Sequence, residues 1–249
     1  MDPPPDEPLR WVAMREYLAS LPTFLPGRPD ALLVISAHWE CELPTVLGAA
    51  APGLLFDYFN FPPHTYELTY PAPGAPALGM RVRELLAAAG IESDADPRRD
   101  FDHGIFIPMK VSFPRADIPI LQLSLQAGLD PAHHLAIGRA LRPLRDENIA
   151  IIGSGLSFHN LRDLGNPALN GPAAEFDQWL THSLCESPPL ERAAALRRWA
   201  AAPHARACHP REEHLMPLMV AAGAAAEDPG RHVFAGHIWG KAVSAYQFD

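Results

Sequence analysis

The sequence predicts an α/β fold: a single domain with a mostly parallel central sheet, flanked by helices and closed by a C-terminal strand pair. Three observations carry that reading. Apolar runs at residues 32–35, 118–125 and 149–152 read as strands buried on both faces, as the strands of parallel sheets are. Segments with apolar residues at helical spacing alternate with these runs. No linker, internal repeat or composition shift divides residues 1–249.

Taken in order, residues 8–21 place Trp11, Val12, Met14, Tyr17, Leu18 and Leu21 at helical spacing and predict an amphipathic helix. A Pro-Gly-Arg-Pro turn leads into the first strand, which ends abruptly in Ser36, Ala37, His38, Trp39 and Glu40. Residues 45–48 suit a short second strand. Residues 54–73 are too irregular for a helix and too apolar for a free loop, so they predict an ordered loop walling a pocket. A helix over 74–90 stops at Gly90. Residues 100–108 hold His103 between Asp102 and Gly104. A helix over 131–146 feeds a buried strand that gives way to small residues and then to His159 and Asn160. Two helices come next, over 172–184 and 190–201. Residues 208–218 run into an alanine-rich helix, and 233–248 read as a strand pair around Gly236 and Gly240.

Composition narrows the function. A chain of 249 residues, 48% hydrophobic, can bury one large core. A net charge of −9 without a long basic run argues against nucleic acid as a partner. No apolar stretch nears the roughly 20 residues of a membrane span. The start, MDPPPDEP, is acidic and proline-rich, unlike a signal peptide. Cys41, Cys185 and Cys208 form no CxxC pair, which points to a reducing cytoplasm and away from disulfides or thiolate zinc.

The chemistry lies in the histidines. His182, His204 and His232 read as surface residues, and His133 and His134 sit on an ordinary helix. His38, His103, His159 and His214 instead fall at junctions between elements, beside small, turn-forming or acidic residues. One such histidine is usually a satisfied core residue. Four raise a metal or acid/base site, because ligands of open α/β sheets bind beyond the strands' carboxyl ends and imidazole suits both tasks. Other schemes fit less well. Gly153-Ser154-Gly155 lacks the GxSxG elbow, no glycine-rich phosphate loop is present, and His214 has no zincin spacing.

Six motifs resemble one family in the same order along nearly the whole chain. They are Ser36-Ala37-His38-Trp39-Glu40; Tyr70-Pro71-Ala72-Pro73-Gly74 with Pro76; Asp102-His103-Gly104; Asp117-Ile118-Pro119 with Gln122-Leu123-Ser124; Gly153-Ser154-Gly155 with His159-Asn160-Leu161; and HPREEHLMPL over 209–218. The family is that of the LigB-type class III extradiol ring-cleavage dioxygenases, in its DOPA 4,5-dioxygenase branch. The resemblance implies a non-haem metal held by histidines, iron(II) in active enzymes, with zinc able to take the same place. It implies His38 and His214 as metal ligands, His159 as a further ligand or the acid/base, and His103 as a catalytic histidine of the pocket. The implied reactants are a catechol-type molecule and O2, giving a semialdehyde, with the loop over 56–70 as apolar wall. One departure stands out. Family members usually begin with a strand ending in a histidine-glycine motif that adds a ligand, whereas Met1-Asp2-Pro3-Pro4 resembles the segment just after that motif. An N-terminally truncated domain is therefore expected, from a misplaced start or from a natural truncation that would leave the metal at most three histidines. Two further readings remain: a non-catalytic metal- or partner-binding member of the fold, and a zinc-dependent hydrolase of a small ester or amide. Arg98, Arg99 and Arg162 are candidate clamps for an anionic substrate group, and a homodimer is compatible with the sequence.

Overall fold

A computed structural model of the chain describes residues 9–248. Its centre is a five-stranded sheet built from β1 (Ala31–Cys41), β2 (Thr45–Leu47), β3 (Asp94–Asp96), β4 (Ile120–Gln126) and β5 (Ile149–Ser154), in the order β3-β2-β4-β1-β5. Every neighbouring pair is parallel except β2 with β4. The apolar run of β1 reflects its place: it is an inner strand between β4 and β5, and a packed core covers each of its faces. Alternate residues feed two cores. Leu33 and Ile35 join Leu121 and Leu123 on one face, while Leu32 and Val34 join Ile120 on the other.

The helices are α1 (Val12–Ser20), α2 (Pro76–Ala88), α3 (His103–Ser112), α4 (Pro131–Leu141), α5 (Asn170–Cys185), α6 (Pro189–Arg197), α7 (Ala205–Cys208) and α8 (Met216–Ala225). Ile105, Phe106 and Met109 of α3 fill the second core; α2, α4, α5 and α8 contribute to the first. The chain closes in an antiparallel hairpin of β6 (Gly230–Ile238) and β7 (Lys241–Phe248). β5 is an outer strand of the sheet. Its apolar side chains stay half-buried and line a cavity of about 2230 Å3 that reaches the four junction histidines.

The architecture agrees with the sequence reading, and the differences are local. The helix expected over 131–146 ends at Leu141 and tightens into a 3-10 turn, Arg142–Glu147, where Pro143 has no N–H to continue the ladder. The helix expected over 190–201 is α6 followed by the short turn Trp199–Ala201. Gly236 lies inside β6, and the hairpin turns at Trp239 and Gly240, both at positive φ (49° and 77°). Three of these elements were unforeseen, β3, α3 and the short α7. Pro8 and the start at Met1-Asp2-Pro3-Pro4 lie outside the described residues, and so does the expectation of a truncated first strand. No helix among the described residues is long and apolar enough to cross a membrane. The three cysteines are unpaired.

Candidate metal centre

The sheet's irregularity falls where the chemistry is. Ile35 pairs with Leu123, yet the next β1–β4 pair is Glu40 with Leu125, so four β1 residues span one residue of β4. Ser36 through Trp39 make up that excess, which disrupts the ladder at His38. His103 is the first residue of α3, with Asp102 as N-cap. Pro108 inside α3 lacks the N–H that would bond Gly104 O, and the Ser154 hydroxyl of β5 donates to that carbonyl instead. His159 lies just after β5, its N–H donating to Cys208 O at 3.0 Å. His214 lies just before α8, its carbonyl accepting from Leu156 N at 3.1 Å. Four distant segments thus deliver one histidine each.

The rings form a continuous row. Ring centroids are 3.9 Å apart for His103 and His38, 4.9 Å for His38 and His214, and 3.3 Å for His214 and His159. Two carboxylates that the sequence reading did not single out hold this row in pairs. Asp57 Oδ1 accepts from His103, from Nδ1 at 2.8 Å and from the backbone N–H at 3.0 Å, while its Oδ2 lies 3.9 Å from His38 Nδ1. Glu213 Oε1 is 3.1 Å from Nδ1 of both His159 and His214. A signal existed for each. Asp57 is one of two carboxylates, with Glu67, in an apolar, aromatic run, and Glu213 directly precedes His214. The His209 ring, by contrast, is fully buried and 3.0 Å from Ser157 O, a packed structural histidine.

Burial keeps His38 and His159 neutral. It lowers His38 to about 3, helped by the proximity of His103 and His214 against the opposing pull of Asp57. It lowers His159 to about 4, helped by His214 and opposed by Glu213. Burial alone would raise Glu213, but the hydrogen bond and charge of His214, with that of His159, bring it down to about 2. Burial would raise Asp57 likewise, and its bonds to His103 lower it. The result is a set of lone-pair donors whose Nδ1 sides face carboxylates, the arrangement that orients metal-binding histidines. His38, Asp57 and His103 form one group with ligand atoms within 4.8 Å of one another, and His159, Glu213 and His214 form another. This donor set fits a divalent ion.

None of the three arginines stands out as a substrate clamp. Arg98 and Arg162 are exposed, and Arg99 turns inward, donating to Asp102 Oδ2 at 3.1 Å and packing over Trp39. Arg211 is held by Glu40 through two bonds of 2.6 and 2.7 Å.

Histidines and paired carboxylates gathered at strand ends beside an aromatic loop fit a metal-dependent enzyme, and the comparisons with known proteins give its class, the aromatic ring-opening dioxygenases of the extradiol type. The family described as the catalytic LigB subunit of aromatic ring-opening dioxygenase matches residues 1–245, and the chain belongs to it. It is 44% identical over 217 residues to the dioxygenase tasH of Hapsidospora irregularis, covering 81% of this chain and 66% of that one. It is 42% identical over 209 residues to a 4,5-DOPA dioxygenase extradiol of Portulaca grandiflora, covering 81% and 75%. The crystal structure of an uncharacterized protein, JW3007, from Escherichia coli K12 superimposes with a TM-score of 0.77 at 30% identity, over 95% of this chain and 92% of that one.

Proposed function

We propose that this chain opens the ring of a catechol-type substrate with O2, beside the diol, through iron(II) held at the histidine row. The ring geometry carries the assignment of roles. His38 and His214 stand edge to face at 4.9 Å, so one ion can meet a nitrogen of each. His159 lies flat on His214, its plane within 16°. That stack sets His159 beside the edge-to-face pair instead of within it. His38 and His214 are therefore assigned as ligands. His159, oriented by the same Glu213 oxygen, is assigned as the acid/base, one of the two roles the resemblance left open to it. His103, fixed by Asp57, is the second catalytic histidine.

Iron(II) supplies electron transfer between catechol and O2, chemistry that zinc, which fits the same donors, lacks. His159 takes a hydroxyl proton from the catechol and returns it as the ring opens. Tyr58, Phe61 and Leu68 of the aromatic loop line the same cavity as the histidines and give the apolar wall that positions the ring. The reaction balances: one catechol and one O2 give one ring-opened semialdehyde that keeps both oxygen atoms.

Anaerobic loading with iron(II), then catechol, then O2, tests this. Equimolar O2 consumption with a yellow product is expected. Metal uptake without O2 consumption would support the non-catalytic reading instead, and ester hydrolysis with zinc and no O2 the hydrolase reading.

A further inference from the structure

Behind the histidine row lies a second, fully buried polar group that none of the assigned roles uses. The Asp102 side chain has no exposed surface and is the hub of three chain segments. From β1, Ser36 Oγ donates to Asp102 Oδ1 at 2.7 Å. From β4, Gln122 Nε2 donates to Asp102 Oδ2. From the preceding loop, Arg99 donates to the same oxygen at 3.1 Å.

The hub's arms end on the site histidines. Ser36 Oγ accepts the backbone N–H of His38 at 3.2 Å, and Arg99 reaches the His38 carbonyl at 3.4 Å. Asp102 also caps α3, its carbonyl accepting from Ile105 N and Phe106 N at 2.9 and 3.0 Å, and the next residue is His103. The packing leaves no slack: a Cβ on Gly104 would lie 2.5 Å from Ser36 Oγ and 2.9 Å from His38 Cδ2.

A buried carboxylate with one cationic partner is a costly group to keep for stability alone, since apolar packing could serve instead. We infer that Asp102 is a positioning residue: it sets the placement of His38 relative to His103, across the break in the β1–β4 ladder. The inference rests on the metal-centre reading above. It explains why aspartate, histidine and glycine stand together at 102–104: one as hub, one in the row, one to let the helix approach.

The test compares Asp102→Asn, Ser36→Ala and, as a core control away from the site, Leu141→Ala. Each is checked for folding by circular dichroism, then titrated with zinc against a chelator and with cobalt(II) followed by its visible bands. Asp102→Asn is expected to weaken zinc binding about 10- to 100-fold and shift the cobalt bands, the usual scale for partners of metal ligands. Ser36→Ala is expected to move both in the same direction by less. With iron, kcat is expected to fall more than KM changes. Leu141→Ala is expected to lower Tm and leave both metal readouts alone. A folded Asp102→Asn with wild-type zinc affinity and cobalt bands overturns the inference. Should Asp102→Asn fail to fold, Ser36→Ala decides by the same criterion. Wild-type protein that takes up neither metal overturns the metal-centre reading and this inference with it.

Discussion

The two halves of the histidine row are built differently. On the Glu213 side, bonds from neighbouring segments brace the turn. Arg211 locks Glu40 to the turn that carries Glu213 and His214, Leu156 holds the His214 carbonyl, and Gly155 packs so tightly there that a Cβ would lie 2.2 Å from that oxygen. On the Asp57 side, His103 and His38 face a carboxylate borne by the aromatic loop, whose tip exposes Phe59 and Phe61 to solvent. The contrast teaches how the proposed site divides: each half would supply one ligand and one catalytic histidine, one half braced by main-chain contacts and the other sharing its carboxylate with the aromatic loop.

The sharpest way to break that division is to remove one ligand from each half. His214→Ala and His38→Ala are both expected to abolish metal retention with modest loss of fold, read by metal analysis after gel filtration. Full occupancy in either variant would remove that residue from the ligand set. Next in size is Gly155→Ala. Its new Cβ meets backbone, which cannot rotate away, so destabilisation near the top of the ~1–3 kcal/mol range for overpacking is expected in urea melts. Gly104→Ala meets a serine hydroxyl and a ring edge, and is expected to cost less.

The carboxylates sharpen the comparison further. Glu213 faces Nδ1 of a proposed ligand, so Glu213→Gln is expected to lower metal affinity by about tenfold or more. Asp57 bonds His103, while His38 stands beyond bonding distance, so Asp57→Asn is expected to cut kcat of the iron-loaded enzyme with affinity nearly unchanged. Equal losses of affinity in both variants would erase the distinction between the halves.

The same physics governs how much of the molecule was legible in the sequence. β1 and β4 were legible because burial on two faces demands continuous apolar runs, and β5 carries the same kind of run although its side chains are only half-buried. β3 was not: its three residues are Asp94, Ala95 and Asp96, and backbone pairing with β2 makes it a strand. α3 was hidden because it opens on histidine and glycine, carries Pro108, and is buried on so many sides that no polar stripe marks its period. The four histidines were legible from their places at element ends. The pairings of Asp57 with His103 and of Glu213 with His159 were not, since those partners lie 46 and 54 residues apart and only folding makes them neighbours. Arg99 shows the converse, a charge that reads as a substrate clamp until the fold turns it inward onto Asp102.

The smallest expected effect probes the loop itself. Phe59 is 79% exposed on the rim of the cavity, so it contributes little to stability, and Phe59→Ala is expected to leave Tm within about 0.5 kcal/mol equivalent of wild type. Its ring can matter only to what enters. If the loop's function is to receive the flat substrate, KM for catechol should rise about two- to fivefold, as losing part of one apolar contact does, with kcat and metal affinity unchanged. An unchanged KM would detach the loop tip from the substrate. A fall in kcat alone would carry a different message: the tip then steadies Asp57, two residues away, and through it His103, so that the loop arranges the catalytic residues rather than the substrate.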